Sequence, residues 1–174
     1  MPLKSLNDLL VQEVRDIYSA EKQITKALPK MAKAATNEQL ASAFEEHLTQ
    51  TKQQIEILDQ VFAELGVAPR AKFCKGMEGL LAEGDEILEE QGKAEPSVLD
   101  AALIASAQKV EHYEIASYGT VRTYAEQCGL PKAAKLLQQI LDQESETNEK
   151  LSQLAMSINQ LAEQPQQSTG ASNT

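Results

Sequence analysis

The sequence contains no run of about 18 apolar residues, so no helix in it is expected to cross a bilayer. Its start, MPLKSLNDLL, lacks a charged segment followed by an unbroken apolar stretch, and the expectation is a soluble protein without an export signal. Cysteine is scarce. Cys74 and Cys128 form no CxxC or zinc-type spacing, which points to reduced thiols in a cytoplasmic protein, although spacing alone leaves a disulfide open. Basic residues are outnumbered, 16 against 26 acidic ones, giving a net charge of −10 and a pI near 4.7. With no concentrated basic patch, a nucleic-acid surface is excluded; the acidic balance suits solubility or the attraction of cations. Neither a glycine-rich nucleotide loop nor a nucleophile triad is present.

β-branched runs and turn residues are also few, while apolar residues recur at spacings of three and four over long stretches. That pattern predicts an all-α chain. A first helix opens at Ser5, which caps the amide near Asp8, and runs toward Ala35 with a kink at Pro29. Thr36 and Gln39 read as a capping box for a second helix that stops at Gly66. Residues 66–96 form a long connection with a short helix around Met77–Glu90. Ser97 with Asp100 caps a third long helix ending near Gly129, and Pro131 opens a fourth that reaches about Leu161. Two short-turn hairpins joined by a long crossover define a ferritin-like four-helix bundle rather than an up-down-up-down one. The expected division is one bundle domain over residues 1–162 and a disordered polar tail over 163–174, EQPQQSTGASNT.

Each long helix carries one interruption of its core stripe. The first reads Leu6, Leu10, Val14, Ile17, Glu21, Ile24, Leu28, Met31. The second, Leu40, Phe44, His47, Thr51, Gln54, Leu58, Val61, Leu65, is polar in its middle. The third breaks at Glu114 and Ser117, with Glu111 flanking the same face, and the fourth breaks at Glu144 and Thr147. A lone buried carboxylate costs several kcal/mol unless paired, so four inward polar groups imply a shared cationic partner. Glu114 and Glu144 each stand fifteen residues from Gly129, which sets them side by side in an antiparallel hairpin. Glu21 and His47 flank the other turn at about mid-helix, with an offset of roughly 6 Å. Glutamates and a histidine at one level inside four helices are the ligand set of a di-iron or di-manganese carboxylate centre. Tyr18, Tyr113 and Tyr118 have hydroxyls that could hydrogen-bond ligands or serve redox chemistry, with wall packing and the hydroxyl at the rim the favoured reading; His112 reads as a helix-contact residue beside Ala101, Ala105 and Ala116 or one that supports a ligand, and both cysteines as structural.

The segments DIYSAEKQITKALPKMAKAA, AFEEHLTQTKQQIE, DAALIASAQKVEHYEIASYGT and AAKLLQQILDQE together resemble the YciF-like family of bacterial stress-induced proteins with a ferritin-like fold. The resemblance covers the chain except its tail. It implies a cytoplasmic homodimer with a dinuclear metal site, carried over onto Glu21 of SAEKQ, His47 of EEHL, Gln54 of TKQQIE, Glu111 and Glu114 of VEHYE, and Glu144 of DQE. The pattern departs from ferritins and rubrerythrins, because Phe44 stands three before His47 and Thr147 three after Glu144. An oxygen-rich set with one histidine suits iron or manganese better than zinc or copper. The expected function is oxidation of Fe(II) or consumption of peroxide during stress. The alternative is a non-enzymatic dimeric stress protein acting through a protein partner, with a metal-free polar network and a contact face at Ala101, Ala105 and Gly119. Iron storage in a cage is a third and weaker reading.

Overall fold

The structure, a computed structural model, describes residues 3–164. The tail expected from residue 163 therefore lies, from residue 165 on, outside the described residues. The described residues form five helices in order: α1 (Leu6–Ala34), α2 (Glu38–Glu64), α3 (Lys75–Leu88), α4 (Pro96–Gln127) and α5 (Pro131–Glu163). None of the described helices is long and apolar enough to cross a membrane.

Helix ends follow local chemistry where a local partner exists. The Ser5 hydroxyl accepts from the Asp8 amide at 3.1 Å and starts α1. α1 then passes Pro29 as one helix. Gly66 and Gly129 end α2 and α4 with φ of 66° and 72°, a left-handed conformation that only glycine adopts without strain. At each, two amides fold back on the last turn: Val67 to Phe62 and Gly66 to Ala63, then Leu130 to Ala125 and Gly129 to Glu126. These closures set the two short hairpin turns.

Two expected caps are corrected. The Thr36 hydroxyl donates to Asp100 Oδ2 at 2.6 Å instead of capping α2, so the cap passes to Asn37, whose Oδ1 accepts from Gln39 and Leu40. Asp100 is likewise unavailable to Ser97, and α4 starts at Pro96. The buried Asp100 carboxylate also accepts from the amides of Thr36 at 2.7 Å and Asn37 at 2.9 Å, next to the N-terminus of α2, where a negative charge is favoured. Asp100→Ala would leave two amides without acceptors, so it should lower stability by about 2 kcal/mol in urea unfolding. Asp100→Asn should recover part of that.

α1 packs on α2 and α4 on α5 as hairpins, and the hairpins meet along the α1–α4 and α2–α5 seams. α3 lies over α1 and α4. Met77 and Cys74 are its buried anchors, and the Cys74 sulfur accepts from the Met77 amide to cap it. The apolar core falls into two clusters. One contains Ile24, Leu28, Leu40, Phe44, Leu103, Val110 and Leu151, and the other Leu10, Val14, Leu58, Val61, Val121, Leu137 and Ile140. Leu6, expected at the start of the α1 stripe, is exposed. Between the clusters runs a layer of buried polar side chains.

Candidate metal centre

The polar layer draws on all four long helices. α1 brings Glu21; α2 brings His47, Thr51 and Gln54; α4 brings Glu111 and Glu114; α5 brings Glu144, and all seven are buried. Glu111 and Glu114 stand three apart, so both point inward from one face of α4. His47, Glu111, Glu114 and Glu144 each place a ligand atom within 4.8 Å of the other three, an arrangement that can hold a metal ion. His47 Nδ1 lies 3.4 Å from Glu111 Oε1 without the alignment of a hydrogen bond.

The expected residues that fall outside this group of four have definite partners. Glu21 Oε1 accepts from the Tyr118 hydroxyl, leaving Oε2 without a partner. Gln54 donates through Nε2 to Glu144 Oε1 at 2.5 Å and to Gln143 Oε1 at 3.2 Å, so its amide steadies Glu144, and its own Oε1 is left unpaired. Thr51 spends its hydroxyl on the His47 carbonyl. For Tyr118 the favoured wall-and-rim placement is corrected in favour of the alternative, a hydroxyl bonded to an inward carboxylate. Its ring is 0 % exposed and its hydroxyl lies in the polar layer, so the inward stripe of α4 continues through Tyr118, while Ser117 is only half-buried. Tyr118 follows Glu114 by four residues, and that spacing was the available signal. Tyr18 and Tyr113 do lie at the wall, with hydroxyls donating to Asp59 and to Asp16. Tyr113 also meets the Cys74 sulfur at 3.0 Å. His112 is exposed on α4 together with Ala105 and Ala116.

Electrostatics make the layer costly as it stands. Eight buried atoms lack a hydrogen-bond partner: Oε2 of Glu21, Nε2 of His47, Oε1 of Gln54, both carboxylate oxygens of Glu111 and of Glu114, and Oε2 of Glu144. No lysine or arginine among the described residues is buried with them. Two carboxylates about 5 Å apart repel by about 3 kcal/mol at an effective dielectric of 20. Burial first, and mutual repulsion second, push Glu21, Glu111 and Glu114 well above the usual carboxylate range. Burial also raises Glu144, to about 7, against the lowering influence of the neighbouring Glu111 carboxyl and of the Gln54 amide. The same burial lowers His47 to about 4, so its imidazole is neutral at pH 7: it has a lone pair to offer a metal ion and does not supply the missing positive charge. A divalent cation fits this donor set: it supplies the charge that the layer lacks and occupies atoms that nothing else satisfies.

Comparison with known proteins agrees with this architecture. Residues 5–163 match a domain of unknown function, DUF892. Protein YciF of Escherichia coli (strain K12) is 50 % identical over 165 residues, covering 94 % of this chain and 98 % of that one. The crystal structure of the E. coli stress protein YciF superposes with a TM-score of 0.87 at 48 % identity, covering 91 % and 99 % of the two chains. YcfI of Rhodopseudomonas palustris follows at 47 % identity and a TM-score of 0.83, covering 86 % and 94 %.

Proposed function

The chain belongs to the DUF892 family, and from that footing we propose that it is a stress-associated protein built around a carboxylate-rich dinuclear iron or manganese centre that oxidises Fe(II) or consumes peroxide. The observation that carries this reading is the set of eight unpartnered buried donor atoms, gathered from four helices with no buried lysine or arginine beside them. In this reading His47, Glu111, Glu114 and Glu144 ligate the metal, Glu21 joins them through its free oxygen, and Gln54 Oε1 is a neutral sixth donor. One nitrogen among many oxygens favours iron or manganese. Such a centre would supply one-electron redox chemistry. The chain supplies the rest: Tyr118 and Gln54 each hold one oxygen of a carboxylate so that the other faces inward, and the two apolar clusters exclude bulk water. On the resemblance to YciF-like proteins, the proposal includes a cytoplasmic homodimer.

A metal-free network serving a non-enzymatic partner protein would use the Tyr118–Glu21 and Gln54–Glu144 hydrogen bonds, but it leaves both oxygens of Glu111 and of Glu114 unsatisfied. Mass-spectrometric metal analysis of protein purified without tag or chelator decides between the two. The expected result is about two iron or manganese ions per chain, falling sharply in Glu114→Ala and Glu144→Ala. Protein that holds no metal even after anaerobic Fe(II) addition would overturn the proposal.

A further inference from the structure

A buried metal layer needs a way in, and the bundle is not equally closed on its four sides. The α1–α2 and α4–α5 sides are hairpins joined by short turns. The α1–α4 seam lies under α3, which is tied down by Gln23 donating to the Cys74 carbonyl at 3.1 Å, by Lys30 with Asp85 at 3.0 Å and by Lys109 with Glu83 at 2.7 Å. The α2–α5 seam is on the opposite side of the bundle. There a cavity of about 40 Å³ reaches His47 between the two helices. Ala43 and Thr147, both small, line it together with Gln50, and the exposed pair Glu46 and Lys150 lies at its mouth.

We infer that the α2–α5 seam is the port through which divalent cations reach the polar layer, with Gln50 and Thr147 as its walls and the Lys150–Glu46 ion pair across its entrance. This inference rests on the metal reading above. The cavity is large enough for one water-sized occupant at a time, and its inner end is His47, whose Nε2 has no partner. Beside the apolar Ala43, Phe44 and Leu151, its polar lining grades from charged to neutral to imidazole: Glu46 and Lys150 outside, Gln50 and Thr147 bonded to each other at 3.3 Å in the passage, His47 at the end. Such a gradient removes a cation's water shell in steps instead of at once. At the mouth the lysine ammonium both neutralises Glu46 and repels an incoming cation, so the pair slows entry. An acidic protein of net charge −10 attracts cations from all directions, and the port determines where they can pass.

The test uses the full-length metal-free protein mixed anaerobically with Co(II) in a stopped-flow instrument, reading both the rate and the final amplitude of the visible absorption band. Thr147→Leu narrows the passage and should slow loading about tenfold without changing the final amplitude. Lys150→Met exposes Glu46 and should speed loading a few-fold. Lys109→Met, on the α3 side, is the control and should load like wild type. Wild-type rates in both seam variants would overturn the port while leaving the metal site intact. A wild-type protein that shows no Co(II) band would overturn the metal reading, and the port with it.

Discussion

Thermal unfolding of the metal-free protein shifts upward by about 20 °C when Mn(II), or Fe(II) without oxygen, is supplied at about a thousand times its dissociation constant. Each ion that binds only the folded state contributes about 4 kcal/mol at that excess, and the proposed centre holds two. For a chain of this size each kcal/mol moves the midpoint by about 2 to 4 °C. The expectation is large because the metal-free state is poor: eight buried donor atoms without partners and four carboxylates in one layer. Differential scanning calorimetry with and without chelator measures it. Glu114→Gln should behave in a telling way, raising the metal-free midpoint by removing a buried carboxyl that must bind a proton or carry a charge, while abolishing most of the metal-induced shift. A metal-induced shift of only a degree or two in the wild-type protein would contradict the proposed site.

The second large effect is an inverted pH dependence in the metal-free protein, which should lose stability as pH rises from 5 to 8. Glu21, Glu111, Glu114 and Glu144 all titrate higher folded than unfolded, so the folded state holds more protons and its advantage is lost as pH rises through the folded values. Glu144 alone, raised from 4.5 to about 7, accounts for a loss on the order of 3 kcal/mol across that window. His47 acts with the opposite sign: lowered from 6.5 to about 4, it contributes stability that is present above 6.5 and lost as pH falls toward 4. Four carboxylates outweigh one imidazole, so the net slope from pH 5 to 8 is downward. Metal-saturated protein should show the reverse trend, because its ligands bind deprotonated. Urea unfolding at four pH values, with and without Mn(II), tests both curves. Metal-free stability that climbs steadily from pH 5 to 8 would rule out the charge state argued here.

What could be read from the sequence, and what could not, divides by the range of the interaction. The bundle was legible because its signals are local: apolar spacing along each helix, Ser5 with Asp8 at one start, Gly66 and Gly129 at two ends, Pro131 just beyond. The two capping assignments failed for one shared reason. Thr36 has a suitable local role, and so does Asp100, but they satisfy each other across 64 residues, and no window along the chain reveals that. Within the polar layer, residue types at mid-helix pointed inward correctly at Glu21, His47, Gln54, Glu111, Glu114 and Glu144, all of which are buried. Tyr118 could not be separated from Tyr18 and Tyr113 because an aromatic at helical spacing packs as wall by default, and only the Glu21 carboxylate across from it gives its hydroxyl a purpose. The division of labour between Gln54 as donor and Gln54 as ligand is equally a matter of neighbours, since Gln143 and Glu144 lie on another helix.

The Asp100 clip also bears on assembly. Thr36 lies fifteen residues from Glu21 and eleven from His47, and Asp100 lies fourteen from Glu114. The clip therefore works as an alignment pin at one end of two rulers of nearly equal length. If the hairpins docked one turn out of step, they would be displaced by about 5.4 Å, and Asp100 would be buried without its three donors. Such an offset would also carry Glu21 and His47 past Glu114 and Glu144. A mistake in docking thus shows as an electrostatic fault at the end of the bundle, and the same carboxylate that joins the hairpins favours the arrangement in which they are level.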